Sequence, residues 1–282
     1  MQPGALAMNW QDRPSAFARF DELCDREAGG SGLPLALRYF GGAGREHMAK
    51  CGTRLETFAK VRAKASRHAA NNPLALLRKE ITVDDVMQSP ALWPGVMTRL
   101  MACPPTCGAA AAIVVSAAFA ARHRLTPGVQ ILGQAMATDR PDTFQTNSMI
   151  DLVGFNLSAS AAAQVYEQTG IGPGDVDVCE LHDCFAQNEL ISYEALGLCA
   201  VGEAERFVDE ARNTYGDDVV VNPSSVMSRP CRPGSARLGP GSKKSQPPRA
   251  TDRLHRRVGP EHGTSDRSAC LRLPGQGLSV IE

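Results

Sequence analysis

The chain changes character at Ser225, and that break limits what it can fold into. Of its 282 residues, those from 226 onward include nine Arg, seven Pro, seven Gly and seven Ser, with no aromatic residue and no apolar periodicity. Such a stretch buries too little surface to offset the entropy of ordering its backbone. A packed core is therefore expected from residues 1–225 and a disordered tail after them. The zero formal charge hides the same division. The tail holds 11 Lys and Arg against four Asp and Glu, and residues 1–225 hold 19 against 26. A basic arm is one form that nucleic-acid binding takes, but this one lacks interleaved aromatic residues. Its bias is also what out-of-frame translation of a GC-rich gene yields, so no nucleic-acid partner is expected.

Before the break, strand and helix signals alternate, which indicates an α/β layered fold. Residues 44–73 read as a helix, with Met48, Leu55, Phe58 and Val61 at helical spacing and Asn71-Asn72-Pro73 as a stop. "FGGAG" (40–44) before it reads as a tight turn, because a phosphate loop would need a GK[ST] sequence and a preceding strand. "CGAAAAIVVSAAFAARHRL" (107–125) predicts a buried strand through Ile113–Val115 that runs into a helix, and 128–138 predicts another strand. Residues 158–170 predict a helix that stops at Gly170. "DVDVCEL" (175–181) alternates like a strand, and "AQNELISYEALG" (186–197) returns to a helical period with Ala186, Leu190, Tyr193 and Leu196 on one face. "DDVVVNPSS" (217–225) gives a further strand and turn.

Several chemistries find no support. Nine cysteines at scattered spacings, with no secretory leader in front, do not form a disulfide framework. No CxxC or HxxxH pair exists to bind zinc, so no metal site is expected. The longest apolar run, 108–121, is too short to span a bilayer. The basic residues of 45–67 read as a solvated helix face, the alternative being contact with the phosphates of a nucleotide-bearing cofactor. What remains is "ELHDCFAQNELISYEALGLC" (180–199), with His182 and Cys184 where a strand hands over to a helix, a common address for active-site groups in α/β folds. A helix N-terminus and a neighbouring imidazolium would lower a thiol pKa, while Glu180 and Asp183 would oppose this. On spacing alone, the pair reads first as a small buried cysteine and a satisfied core histidine, and only second as catalytic.

"DVDVCELHDCFAQNELISYEALGLC", "NTYGDDVVVNPS", "GGAGREHMAKCGT" and "CPPTCGAAAAIVVS" together resemble the thiolase portion of sterol carrier protein X-type thiolases. Bacterial relatives of these are often labelled lipid-transfer proteins or acetyl-CoA acetyltransferases. The resemblance covers about residues 1–229, with the motifs in family order. It implies an incomplete thiolase-like layered fold: a loop region in 1–95, the end of the first half in 96–125, part of the second half in 126–229 and a tail in 230–282. It also implies acyl transfer to coenzyme A, which is a substrate rather than a resident cofactor; a cysteine thiolate attacks the keto group of a 3-oxoacyl-CoA, acetyl-CoA leaves, and a second CoA collects the acyl group. By position, His182 is similar to the family's oxyanion-hole residue and Cys184 to its acid/base cysteine. His47 and Met48 match a pair lining the substrate pocket, the stretch 50–68 would lie near the CoA nucleotide, and Asn222 begins an "NPSGG"-like turn.

Two departures qualify what the resemblance implies. The family's acyl-accepting cysteine stands in a "CxTG"-like context that does not occur here, and Met1 corresponds to a position well inside the family's sequence. The family also continues "NPSGGLISKGHPLGATG", whereas this chain reads "NPSSVMSRPCRP" and does not return to the pattern. A frameshift after about residue 229 is expected, with loss of the GHP histidine. The expectation is thus a catalytically incomplete thiolase-type protein that keeps His182 and Cys184, with a thiolase-like aldolase of steroid side-chain degradation or an acyl-CoA- or lipid-binding scaffold as alternatives. The composition suggests a bacterial cytoplasm, and the family's homodimer would be compromised.

Overall fold

The computed structural model describes residues 18–26, 32–104, 112–125 and 129–224, together with two short strands at 269–272 and 278–281. In chain order the helices are α1 (Ala18–Cys24), α2 (Leu35–Cys51), α3 (Leu55–Ala70), α4 (Val83–Gln88), α5 (Ala117–Arg122), α6 (Met149–Leu152), α7 (Phe155–Thr169), α8 (Ala186–Ala195) and α9 (Ala204–Asp209). The strands are β1 (Ala91–Trp93), β2 (Met97–Thr98), β3 (Val178–Cys179), β4 (Val220–Val221), β5 (Ala269–Arg272) and β6 (Leu278–Ile281). β1 and β2 are antiparallel, as are β5 and β6, and β3 and β4 are parallel. α8 and α9 form the crossover that a parallel pair requires. The expected disordered tail lies outside the described residues except for the β5–β6 ribbon. Among the described residues, no helix is long and apolar enough to cross a membrane.

α3 and α8 occupy the middle of the molecule. Eleven of the sixteen residues of α3 are buried, and all ten of α8. Phe58 and Val61 of α3, Leu190 and Tyr193 of α8, Ala161 and Val165 of α7, and Phe207 of α9 share one core with Met97, Met101 and Val221. Each large side chain buried in this way contributes on the order of 2 kcal/mol. α8 forms where its sequence predicts. It contains no Gly, Pro or β-branched run beyond Ile191, and it follows Phe185, whose backbone is extended. It ends at Gly197, whose φ of 71° lies in the left-handed region. The Leu198 N–H bonds back to Tyr193 O at 2.9 Å and the Gly197 N–H to Glu194 O at 3.0 Å, the two bonds of a Schellman stop. α7 likewise stops at Gly170, at φ 67°.

Several expectations are corrected. The segment read as one helix over 44–73 is two, divided at Gly52 with φ 74°. "FGGAG" is no turn: it lies inside α2, where glycines let neighbours approach closely. A Cβ at Gly41 would stand 2.7 Å from Trp93 Cε3, and one at Gly44 would stand 2.4 Å from Gln187 Cγ. α8 is buried all round rather than on one face. The basic residues form a solvated face only in part: Arg45, Lys50, Arg54 and Arg67 are exposed, whereas Arg62 and Lys64 are buried and Lys60 pairs with Glu56 and Asp209.

The strand expected through Ile113–Val115 is neither buried nor paired among the described residues. Ile113 is 94% and Val114 72% exposed, in extended chain that leads into α5. The strand expected over 128–138 is extended but unpaired from 129 onward; Gly133 lies against Thr169 and Val165 of α7, and the Gln134 N–H bonds to Gln168 Oε1 at 3.0 Å. Neither segment forms a strand among the described residues: 113–115 stays exposed, whereas Ala135 is buried in the main core with Leu132 and Ala137 packed against it, beside α7.

Candidate active site

Strand β3 delivers the chain to His182, and α8 carries it away. On exit from β3, three contacts from the turn after β4 hold the backbone. The Asn222 N–H bonds to Cys179 O at 2.8 Å, Asn222 Oδ1 accepts the Leu181 N–H at 2.8 Å, and Glu180 Oε1 accepts the Ser224 N–H at 2.9 Å. Asn222 has a positive φ of 52°, a conformation that asparagine tolerates better than most residues. Past the histidine, Asn188 Nδ2 donates to His182 O at 2.6 Å. The stretch 180–184 is therefore clamped at both ends by side chains, which fixes a loop outside regular hydrogen bonding.

Cys184 is buried and lies opposite Cys103. The Cys103 N–H bonds to Cys184 O at 2.9 Å beside an antiparallel bridge between Ala102 and Phe185. Phe185 stacks on Phe40 with ring centroids 4.8 Å apart, closing one side. Burial pushes the Cys184 thiol well above its ordinary range, with Cys103 and Asp183 adding to the shift; the backbone N–H groups of Phe185 and Cys184 pull the other way without reversing it. Burial also lowers the His182 imidazole. Of the opposing influences read from the sequence, those that keep the thiol protonated prevail, with burial the largest, and the imidazole is held toward its neutral form. Such a pair donates hydrogen bonds and moves protons; it is not an activated nucleophile. Asp183 is fully buried, with the Arg62 guanidinium feeling its charge.

The other candidate residues are placed elsewhere. His47 is buried at the opposite end of α8. Its Nε2–H donates to Glu194 Oε1 at 3.1 Å and its Nδ1 shares a hydrogen bond with the Thr53 hydroxyl at 2.8 Å, so both ring nitrogens are taken up within the protein. Met48 is half-buried and packs against the main core. Asn222 is buried, with its amide shared between Leu181 and Glu189, where Nδ2 donates to Oε2 at 3.3 Å. Asn222 reaches the backbone next to His182 through Leu181, His47 bonds to the far end of α8 through Glu194, and Met48 packs against the core that also holds Cys184 and Phe185. A cavity of about 290 Å³ between α1 and residues 144–147 is lined by none of them.

Sequence reasoning missed the polar residues of α8 as a group. Gln187 Nε2 donates to Val96 O at 3.1 Å, Asn188 reaches His182, Glu189 meets Lys64, and the Ser192 hydroxyl donates to Asn188 O at 2.8 Å. Glu194 receives, besides His47, the N–H groups of Gly202 at 2.9 Å and Ala204 at 3.2 Å. In the sequence these residues read as the wet side of an amphipathic helix. The available signal was the match between a polar-rich α8 and a cation-rich α3, Arg62 and Lys64 included, which suits two helices that face each other.

The comparisons with known proteins agree with this architecture. A family model described as thiolase C-terminal domain-like matches residues 139–238. Bovine sterol carrier protein 2 is 46% identical over 228 residues, which cover 80% of this chain and 42% of the relative. The benzoylsuccinyl-CoA thiolase subunit BbsB of Thauera aromatica is 33% identical over 183 residues, 65% of this chain and 46% of the relative. The solved structure of an Ltp2-ChsH2(DUF35) aldolase shares the fold with a TM-score of 0.57 at 19% identity, covering 89% of this chain and 64% of that one. The matches span 42% of the length of bovine sterol carrier protein 2, 46% of the thiolase subunit and at most 56% of the curated relatives compared. It belongs to the thiolase family, in the branch of sterol carrier protein 2.

Proposed function

We propose that this chain carries the histidine–cysteine part of an acyl-CoA thiolase site, acting in acyl transfer between a 3-oxoacyl thioester and coenzyme A. The neutral His182 imidazole offers an N–H to the oxyanion that develops on the reacting carbonyl. The protonated Cys184 thiol gives its proton to the departing carbanion of acetyl-CoA and recovers one from the incoming CoA thiol. The observation that carries this reading is the position of both groups at the exit of β3, with the backbone around them clamped, His182 half-buried and Cys184 buried. The names of the relatives, a thiolase subunit among them, support the CoA thioester as substrate class.

The acyl-accepting cysteine in its CxTG-like context and the GHP histidine are not among these 282 residues. The chain by itself is therefore proposed to bind acyl-CoA without forming an acyl-enzyme. The test pairs acyl-CoA affinity with thiolysis of a 3-oxoacyl-CoA by the purified protein. Binding without turnover is expected, and thiolysis abolished by Cys184→Ala overturns the inactive part of the reading. A second reading, carbon–carbon cleavage of a thiolase-like aldolase type, takes its support from the fold shared with the aldolase; retro-aldol release from a β-hydroxyacyl-CoA would favour it.

A further inference from the structure

We propose that the buried Lys64–Glu189 ion pair is a positioning device for His182, acting through the side-chain amide of Asn222. Lys64 on α3 and Glu189 on α8 are both buried. The Lys64 ammonium uses its three donors on Glu189 Oε1, on Val221 O at 3.1 Å and on Tyr193 Oη at 3.3 Å. Tyr193 Oη donates to the same Glu189 oxygen and accepts from Asn213 Nδ2 at 3.0 Å. The second carboxylate oxygen faces Asn222 Nδ2.

An asparagine amide has one donating and one accepting end, and the charged carboxylate only accepts. Glu189 therefore decides which way Asn222 points: Nδ2 must face the carboxylate, which leaves Oδ1 to receive the Leu181 N–H. Leu181 is the residue before His182, so the orientation of one amide sets the backbone from which the imidazole projects. Reversal of the amide would bring two donors together at Leu181 and release that anchor. A buried ion pair adds little net stability compared with apolar side chains of similar size. What this one fixes is a direction. Lys64 and Glu189 are positioning residues, since they reach His182 only through Asn222 and Leu181.

The proposal deepens the acyl-transfer reading and rests on it for the meaning of His182, but its test needs no substrate, so the two can fail separately. Glu189→Gln keeps the side-chain volume. Its Oε1 turns to the Lys64 ammonium and its amide nitrogen to Asn222, which forces the Asn222 amide to reverse. In the ¹⁵N-labelled full chain, hydrogen exchange of the Leu181 N–H should quicken about tenfold or more, and the ring nitrogen signals of His182 should shift. The Val220 N–H, which donates to Asp177 O at 2.9 Å, serves as the reference and should hold. In Lys64→Met/Glu189→Gln no ammonium competes for Oε1, so both readouts should return to those of the unaltered chain. Unchanged Leu181 and His182 signals in Glu189→Gln, or no recovery in the double variant, would overturn the proposal. If Glu189→Gln does not fold, Asn222→Gly decides, because glycine keeps the left-handed backbone but lacks the amide. Faster Leu181 exchange there supports the relay, and unchanged exchange sinks it.

Discussion

Gly44 of α2 faces Gln187 of α8 so closely that a Cβ at position 44 would stand 2.4 Å from Gln187 Cγ and 3.2 Å from its Cβ. Both are near the root of a side chain that is itself fixed, because Gln187 is fully buried and bonds to Val96 O. The clash therefore has no flexible end to yield. Gly44→Ala should lower unfolding stability by about 1–3 kcal/mol, measured by urea denaturation. Ala gains helix propensity over Gly at an unhindered site, so a neutral or stabilising outcome would show that α2 and α8 do not meet at this distance.

His47 offers a second test of how α8 is held. Its imidazole joins Thr53 to Glu194, and Glu194 also gathers the N–H groups of Gly202 and Ala204. His47→Ala should cost about 2 kcal/mol, since it leaves a buried carboxylate with one donor fewer. Acyl-CoA affinity, measured on the folded fraction, should hardly change. A residue lining the substrate pocket would show the reverse pattern, with weakened binding and intact stability.

The parts of this fold that the sequence made legible are those fixed by local rules. Gly170 and Gly197 stop α7 and α8 where expected because a left-handed residue ends a helix whatever surrounds it. The strand signals at 175–181 and 217–225 appear as β3 and β4, shortened to two residues each. The misreadings concern what lies across from a segment. Gly41 and Gly44 look like a turn until Trp93 and Gln187 stand opposite them. Glu189 and Glu194 look solvated until Lys64 and His47 are known to face them. At the candidate site, the positions of His182 and Cys184 were readable but their ionisation was not. A helix end and a nearby histidine pulled one way and Glu180 and Asp183 the other; burial, which no local pattern reports, decides for the thiol.

Burial should also govern cysteine chemistry. Cys103 is exposed and Cys184 buried although they are cross-strand neighbours, and burial pushes the Cys184 thiol well above its ordinary range. Iodoacetamide at pH 8 should label Cys103 at least about tenfold faster than Cys184, because Cys184 is shielded from the reagent and its thiol is pushed up. Peptide mapping by mass spectrometry after timed quenching gives the ratio. Equal rates would mean that the 180–184 loop opens readily and that its clamps do not hold.

The acid limb of stability should carry the signature of His68. Its Nδ1–H donates to Asn222 O at 3.1 Å and its Nε2 accepts from the Thr214 hydroxyl at 2.8 Å, so the folded state holds the neutral ring. Burial, aided by the Lys64 charge, lowers it to about 4 from 6.5, against the pull of the Asn222 carbonyl. The unfolded chain therefore takes up the proton first as the pH falls. This contribution is complete above about pH 6.5 and is lost progressively toward pH 4, by roughly 3 kcal/mol. The lowered His182 acts with the same sign. Denaturation midpoints across pH 4–8 should fall on the acid side, and His68→Gln should flatten that fall even where it lowers the whole curve. An unaltered acid slope in the variant would assign the loss to other groups.

The extended segment before α5 predicts how the molecule associates. Ile113, Val114 and Val115 have exposed side chains, at 94%, 72% and 41%, and Phe119 of α5 adds to the same stretch. Contiguous apolar residues whose backbone has no strand partner among the described residues are the surface that recruits another chain by strand addition or simple burial. Ile113→Thr and Val114→Lys together should leave the denaturation midpoint within about 0.5 kcal/mol of the starting protein, as exposed positions do. The same pair should sharply reduce concentration-dependent association in sedimentation velocity, since it interrupts the run with a charge and removes most of its apolar area. If the substitutions instead destabilise the monomer by several kcal/mol, the segment is buried in solution and the strand expected from its composition finds its neighbour after all. If association persists undiminished in a stable variant, the contact lies on another face, and the segment 129–138, with Ile131 and Met136 exposed, becomes the next position to alter.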